Sequence, residues 1–266
     1  MIGQRYLLNQ IEHLIENNTF PRFSIFVGPK GGGKKTLAKE IIKSLGGYGC
    51  LCPDVKIETI RGIIHGAYTT FGGINIYIIP DADNMSNAAK NALLKVTEEP
   101  PNNAYFIMTL EDENNTLETI KSRATIFHMD RYTPDEIRQY CIGKGENQWV
   151  VDSIITDLCE TPGDVDLFLK MNPKEFYDYV QLVVDNIANV SLANAFKISS
   201  KIVLKDGDTG YDLRLFWKAF MRVSFDIDKY DGVCITSKYL QKLRVRGINK
   251  QMLFDTWMLE IRERWM

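Results

Sequence analysis

One stretch, residues 74–123, constrains the fold of this chain more than any other. It opens with the short, β-branched apolar run Ile74–Ile79, which predicts a buried strand. Ser86 can then cap a helix over Asn87–Glu98. One face of that helix is apolar and should be core: Ala89, Ala92, Leu93 and Val96. Tyr105–Leu110 predicts a second buried strand, so the stretch reads as strand, helix, strand, the pattern of an α/β domain.

A glycine-rich segment lies upstream in the same context. Phe23–Val27 predicts a short strand, Gly28–Lys35 (GPKGGGKK) is a loop, and Thr36–Leu45 predicts a helix. Strand, glycine loop and helix is the setting of a phosphate-binding loop, whose backbone N–H groups point at an anion. The candidate nucleotide- or phosphate-binding residues are Gly28, Gly31, Gly33, Lys34, Lys35 and Thr36.

The metal-binding parts of such a site are degraded in this sequence. Lys35 stands where a loop of this type has the hydroxyl that ligates Mg²⁺, and Thr36 comes one residue late. At the end of the 74–79 strand, Pro80 stands at the position of the metal-holding Asp and Asp81 at that of the water-activating Glu. We therefore expect no required cofactor and no bound metal. ATP, ADP or phosphate could still bind, without productive Mg²⁺.

Composition excludes several function classes. The 266 residues carry a formal net charge of −2, which gives no global sign of nucleic-acid binding. No apolar run is long enough for a membrane span and no signal peptide is visible, so we expect a cytoplasmic protein. The five cysteines are expected to be reduced thiols. Cys50 and Cys52, in a predicted loop over residues 46–55, are too few and too closely spaced for a zinc site.

The C-terminal half is predicted to be helical. Thr133-Pro134-Asp135-Glu136 has the pattern of a capping box with proline in the first turn, and Asn172-Pro173 marks a boundary. Beyond it, the predicted helices are Phe176–Val190, Leu192–Leu204, Leu213–Phe225, Ser237–Val245 and Lys250–Arg264. Their dense aromatic residues should form the core of a helical bundle: Phe216, Trp217, Phe220, Phe225, Phe254 and Trp257.

A series of motifs resembles one family. In chain order the matching segments are Ile2-Gly3-Gln4, Pro53-Asp54-Val55, Ile60-Arg61, Asp83-Asn84-Met85, Asn91-Ala92-Leu93-Leu94-Lys95, Glu98-Glu99-Pro100-Pro101 and Thr119-Ile120-Lys121-Ser122-Arg123. The chain resembles the clamp-loader subunits of bacterial DNA polymerase III, which are AAA+ proteins, and most closely the delta-prime type. The resemblance covers about residues 1–170. It departs from the family at Ala124, where the family has cysteine, and after Gly163, where Asp stands at the position of the second-sensor Arg.

The resemblance implies a fold and a set of roles. It implies an AAA+ P-loop domain with a parallel sheet flanked by helices (1–130), a small helical lid (131–172) and an all-α collar domain for oligomerisation (173–266). It implies that Arg123 reaches the ATP site of a neighbouring subunit and that Thr109 is sensor-like. The implied partners are other clamp-loader subunits in a hetero-oligomeric ring, the sliding clamp and, through the assembly, primer–template DNA.

Three other interpretations of the sequence remain. The chain could be an AAA+ ATPase that hydrolyses MgATP itself. It could be an interaction scaffold in which the glycine loop and Arg123 are relics. A P-loop kinase of small metabolites is disfavoured, because it would not explain the helical C-terminal third or the motif series.

Overall fold

The fold is described from a computed structural model, which covers residues 3–69, 72–146, 148–153, 158–189, 191, 201–203, 210–243, 245 and 247–266. The chain divides into two compact units, Met1–Glu136 with Thr161–Gly163, and Ile137–Glu160 with Asp164–Met266. The predicted three-part division, with boundaries at 130 and 172, stays a prediction. None of the helices in these described ranges combines the length and apolar character that a membrane span requires.

The first unit alternates strands and helices. Its elements are α1 (Arg5–Glu16), β1 (Phe23–Val27), α2 (Lys34–Leu45), β2 (Tyr48–Leu51), α3 (Ile57–Thr69), β3 (Asn75–Ile79), a 3₁₀ turn (Ala82–Asn84), α4 (Asn87–Glu98), β4 (Ala104–Leu110), a 3₁₀ turn (Glu113–Asn115), α5 (Glu118–Lys121), β5 (Thr125–His128) and the start of α6 (Pro134–Gly143). The predicted strands at 23–27, 74–79 and 105–110 are thus confirmed to within one residue.

The five strands form one parallel sheet in the order β2-β3-β4-β1-β5. Every residue of β1 and β4 is buried, as expected for central strands covered on both faces. In a parallel sheet all carboxyl ends lie at one edge, and ligands bind there. The loops that follow β1, β3 and β4 therefore meet at that edge.

Each face of the sheet carries its own core. One core includes Ile60 of α3 and Leu93 of α4, both fully buried against β3 and β4. The other includes Leu7 of α1 and Leu37 and Ile41 of α2. The predicted apolar face of α4 is confirmed, because Ala89, Leu93 and Val96 have no exposed surface and Ala92 is partly buried.

Local signals fixed several helix ends as predicted. Ser86 Oγ accepts a hydrogen bond from the Ala89 N–H at 3.2 Å, so Ser86 caps α4. The capping box before α6 also forms. Thr133 N–H donates to Glu136 Oε2 at 2.8 Å, and Glu136 N–H donates to Thr133 Oγ1 at 3.3 Å.

Near the N-terminus, Gln4 exchanges two side-chain hydrogen bonds with the backbone of Asp130, which ties the start of α1 to the end of β5. Ile2 lies outside the described residues.

The sequence prediction missed two strands of the sheet, β2 and β5. The predicted loop over 46–55 is wrong, because it contains β2. All four residues of β2 are exposed on this edge strand, so no apolar alternation marks it. β5 was not predicted either. Only Phe127 of its four residues is fully buried, so the burial pattern is too sparse to be recognised.

The second unit is mainly helical. Its elements include the rest of α6, then Gln148–Ser153, Pro162–Lys170, Pro173–Asn186, the short strands Ile202–Val203 and Tyr211–Asp212, and the helices Leu213–Asp226, Tyr230–Lys242 and Lys250–Trp265. The predicted helix 192–204 falls mostly outside the described residues. At its end, Ile202–Val203 is a strand paired in parallel with Tyr211–Asp212, so that part of the prediction is wrong. The helix predicted to begin at Ser237 begins at Tyr230 instead.

An aromatic cluster forms the core of the last helices. Trp257 is fully buried, and its ring contacts those of Phe216, Trp217, Phe220 and Phe254 at centroid distances of 4.9–5.8 Å. Its indole N–H donates to Thr236 Oγ1 at 2.9 Å, so its polar atom is satisfied inside the core. Phe225 was expected in this core, but that prediction is wrong. It is 54% exposed, at the end of its helix, and contacts Tyr230.

Candidate nucleotide-binding site and arginine

The glycine loop follows β1 at the carboxyl edge of the sheet. Gly28 N–H donates to the Leu110 carbonyl of β4 at 3.1 Å, and a Cβ at Gly28 would lie 2.8 Å from Met129 Cβ. Gly31 (φ 75°) and Gly33 (φ 92°) adopt the left-handed region, which favours glycine. Gly33 directly precedes α2 and so places the helix N-terminus, with its unpaired N–H groups, at the loop.

Lys34 is folded back into this loop. Its buried Nζ donates to the carbonyls of Gly28 at 2.6 Å and Pro29 at 2.8 Å. Burial lowers the pKa of Lys34, and the nearby carboxylates Glu111, Asp83 and Asp81 partly oppose that shift. An ammonium group thus lies inside the loop, and phosphate binding by Lys34 stays a prediction.

An ion pair joins the end of β3 to the first turn of the helix that follows the glycine loop. Lys35 Nζ lies 2.6 Å from Asp81 Oδ2, and both side chains are about half exposed. Asp81 N–H donates at 3.0 Å to the hydroxyl of Thr109, which is fully buried at the end of β4. The structure therefore brings together Lys35, Asp81 and Thr109. Pro80 precedes them and offers no side-chain ligand. Thr36, on the next position of α2, is exposed.

Other acidic groups near the loop serve as hydrogen-bond acceptors for the backbone. Asp83 accepts from the N–H groups of Glu111 at 2.8 Å and Asp112 at 3.2 Å, and from Asn115 Nδ2 at 2.9 Å. It thereby fixes the turn after β4. The sequence suggests no role for Asp83 beyond a motif match, because an acceptor for residues about 30 positions later leaves no local signal.

Two distant segments support the loop, and the sequence predicted neither contact. Tyr132 donates its hydroxyl to the Gly32 carbonyl at 2.7 Å. Gly163 N–H donates to the Gly31 carbonyl at 3.0 Å, so Thr161–Gly163 belongs to the first unit. Gly163 and Gly31 pack backbone against backbone, which explains why glycine stands at both positions. Only the tertiary fold brings these residues to the loop.

The residues present do not fit Mg²⁺. A nucleotide-bound magnesium needs oxygen ligands from the loop and from the strand end. Here the loop position carries the Lys35 ammonium, and the strand-end position is Pro80. Asp81, the next residue, is already paired with Lys35. Within the described ranges, no group of three or more His, Cys, Asp or Glu is arranged to hold a metal ion.

The two cysteines also do not form a metal site. Cys50 is exposed on β2, whereas Cys52 is buried. Burial raises the pKa of the Cys52 thiol to about 12, so the thiolate that binds metals is disfavoured.

Arg123 lies just before β5, at the amino ends of the strands, whereas the glycine loop lies at their carboxyl ends. Its guanidinium pairs with Glu98 Oε1 at 3.0 Å and donates to the Thr119 carbonyl at 2.7 Å. The side chain is 37% exposed. Because β1 and β5 pair in parallel, Arg123 is at the amino end of the sheet and the glycine loop at the carboxyl end.

The acidic residues after Gly163 have structural partners in the second unit. Asp166, at the second-sensor position, accepts from the Tyr140 hydroxyl at 3.1 Å and pairs with Lys144 at 3.0 Å. Asp164 is buried and accepts two hydrogen bonds from the Arg214 guanidinium. Neither residue offers a positive charge for a phosphate.

Sequence comparison shows which known proteins the chain is similar to. The family model described as DNA polymerase III, delta subunit matches residues 52–133. DNA polymerase III subunit gamma of Buchnera aphidicola is 26% identical over 181 residues, which cover 56% of this chain and 50% of the relative. DNA polymerase III subunit delta' of Yersinia pestis is 32% identical over 77 residues, covering 28% of this chain and 23% of the relative. The chain thus spans half or less of the length of these curated relatives.

A solved structure shares the fold over almost the whole chain. A DNA polymerase III gamma subunit-related protein from Thermotoga maritima superposes with a TM-score of 0.60 at 15% identity, covering 97% of this chain and 99% of that one. At this identity the likeness shows the fold, an AAA+-type parallel sheet followed by helices. The sequence matches and the motif series make the chain similar to the clamp-loader subunits of bacterial DNA polymerase III.

Proposed function

We propose that this chain is a delta-prime-like subunit of a sliding-clamp loader. In this role it hydrolyses no ATP itself and supplies Arg123 in trans to the ATP site of a neighbouring ATPase subunit. The other implied partners are the sliding clamp and, through the assembly, primer–template DNA. The observation that carries the proposal is the position of Arg123 relative to the chain's own glycine loop.

Sheet geometry supports action in trans. β5 is in register with β1 from Ser24↔Thr125 to Val27↔His128. Arg123 precedes that paired segment and Gly28 follows it, so at least four strand residues, or about 13 Å, separate them along the sheet. An exposed arginine at the amino edge is poorly placed to serve its own loop, but it is accessible to another subunit.

The chain's own site supports the loss of hydrolysis. Phosphoryl transfer in P-loop proteins depends on a metal that bridges phosphate oxygens and on a group that orients the attacking water. Lys35 and Pro80 replace the metal ligands, and Asp81 is engaged by Lys35. At the second-sensor position, Asp166 carries the opposite charge to the expected arginine.

The chemistry of a guanidinium suits the proposed role of Arg123. It stays charged at all relevant pH values and offers a rigid fork of donors to phosphate oxygens. An arginine supplied in trans stabilises the charge that develops on the transferring phosphoryl group, an effect of about 10³–10⁵ in rate in GTPases. On assembly, Arg123 would exchange the Glu98 carboxylate for phosphate oxygens, and the half-exposed pair costs little to break.

The test is the DNA-stimulated ATPase rate of a clamp loader reconstituted from its ATPase subunits and this chain. Arg123→Ala should lower that rate strongly while light scattering shows an intact assembly. Arg138→Ala is the matched control, because Arg138 is an exposed arginine on α6 and should leave the rate unchanged. Arg123→Lys should rescue poorly, since an ammonium lacks the bidentate fork.

Two other results would favour the alternatives. An unchanged ATPase rate with Arg123→Ala would contradict the trans role and favour a scaffold. ATP turnover by the isolated chain that is lost with Lys34→Ala would contradict the non-hydrolysing role and favour an ATPase.

A further inference from the structure

One ion pair, between Lys35 and Asp81, occupies the part of the glycine loop where magnesium would need ligands. Lys35 replaces the hydroxyl that would hold the metal, and its ammonium lies 2.6 Å from Asp81 Oδ2 at the end of β3. The pair therefore joins the first turn of the loop helix to the end of β3, next to Pro80 at the position of the metal-holding Asp. The Lys35 ammonium thus puts a positive charge at the loop position that would otherwise supply a metal ligand.

The backbone around Asp81 is built to present its carboxylate there. Asp81 adopts a left-handed conformation (φ 51°, ψ 42°), which Asp tolerates better than most L-residues. Its N–H is held at 3.0 Å by the hydroxyl of Thr109, which has no exposed surface. The Lys35–Asp81 pair is half exposed and adds little to folding, so stability does not account for it.

The loop itself retains what a phosphate group needs. Gly31 and Gly33 curl the backbone ahead of α2, whose first N–H groups carry the positive end of the helix dipole. Lys34 Nζ rests on carbonyls of the same loop, so it can turn toward a ligand without unfolding any helix. Lys34 and Lys35 thus bring two ammonium groups to the first turn of α2, and the carboxylates of Glu111, Asp83 and Asp81 lie near Lys34. Ammonium groups beside a helix N-terminus suit a phosphate anion.

We propose that Lys35, held by Asp81, takes the place of the divalent cation, so that this loop binds the diphosphate or triphosphate group of a ligand in its metal-free form. This inference goes beyond the trans role of Arg123 and does not depend on it. Mg²⁺ would weaken such binding for two reasons. It neutralises charge on the phosphates, and it places a second cation beside Lys35. For charges in contact with solvent, the expected loss of affinity is roughly two- to fivefold.

The test is calorimetric titration of the full-length chain with inorganic pyrophosphate and with ADP, in EDTA and in excess Mg²⁺. The wild-type chain should bind in EDTA and bind roughly two- to fivefold more weakly in Mg²⁺, in line with the loss for exposed charges. Lys35→Thr should reverse that order, whereas Lys35→Arg should keep it. Lys39→Thr makes the same charge change at an exposed site on α2 and should behave as wild type.

The outcomes are distinct. Binding by the wild-type chain only in the presence of Mg²⁺, no binding in either buffer, or an unchanged metal response in Lys35→Thr would each overturn the proposal. Arg123→Ala should titrate as wild type. A failure here therefore leaves the trans arginine to be judged by the assembly assay alone.

Discussion

The packing of Gly163 on Gly31 makes a quantitative prediction for Gly163→Ala. A Cβ at Gly163 would lie 2.5 Å from Gly31 Cα and 3.0 Å from the Gly31 carbonyl oxygen. Because both contacts are with backbone, no side-chain rotation relieves them. Overpacking of this kind costs about 1–3 kcal/mol. The backbone shift that relieves these contacts also weakens the hydrogen bond from the residue 163 N–H to the Gly31 carbonyl, which adds about 1 kcal/mol. We expect the free energy of unfolding to fall by about 2–4 kcal/mol.

Gly62→Ala is the matched control for this change. Gly62 lies inside α3 and is exposed. Apart from its chain neighbours and the local helix backbone, no atom of the described residues lies within 4 Å of the position that the added methyl group would take. Alanine in a helix interior is favoured over glycine by about 0.5–1 kcal/mol, so this variant should be more stable than wild type. The same added methyl group is thus expected to act with opposite signs at two helical glycines.

Urea unfolding of the two variants and the wild type would measure the difference. The midpoints should move in opposite directions at an unchanged slope, since neither change alters the surface exposed on unfolding. A Gly163→Ala midpoint at or above that of the wild type would refute the close approach of Gly163 to the glycine loop. A stabilised Gly62→Ala together with an unchanged Gly163→Ala would also contradict the packing argument.

Three further changes probe the second unit. Trp257→Ala should lower the free energy of unfolding by about 3–5 kcal/mol in chemical denaturation, because it empties the centre of the aromatic core. Asp164→Asn should cost about 3 kcal/mol in the same assay by leaving Arg214 without its carboxylate, and the added change Arg214→Met should restore part of the loss. Burial, with the hydrogen bond to Glu260, raises the pKa of Tyr239 to about 12. The unfolded chain releases this proton near pH 10, so stability should fall as pH rises from about 10 to 12, and Tyr239→Phe should reduce that fall in alkaline unfolding curves.

The parts of the fold that the sequence predicts are those with strong local patterns. The buried strands 23–27 and 105–110 are apolar apart from Ser24 and Thr109, and the caps at Ser86 and Thr133 depend on residues three positions away. β2 could not be predicted, because its residues are exposed and carry no burial period. Phe225 was misplaced since composition shows that aromatics form a core but not which helix position faces it.

The same distinction applies to the site. The glycines and Lys34 follow from a contiguous motif with a known context, and they lie together in one loop. Tyr132 and Thr161–Gly163 support that loop from about 100 and 130 positions away. Their contacts depend on how the chain returns to the carboxyl edge of the sheet, which no local pattern encodes.

The Lys35–Asp81 pair shows why strand order matters for function. The sequence identifies both residues as departures from an active nucleotide site, but separately, because they are 46 positions apart. In the sheet, β4 lies between β1 and β3, so the loop after β1 and the end of β3 face each other across the end of β4. Thr109 occupies that end and holds the Asp81 backbone. The two substituted positions are thus joined in one ion pair, and the Lys35 ammonium lies at the loop position that would otherwise supply a metal ligand.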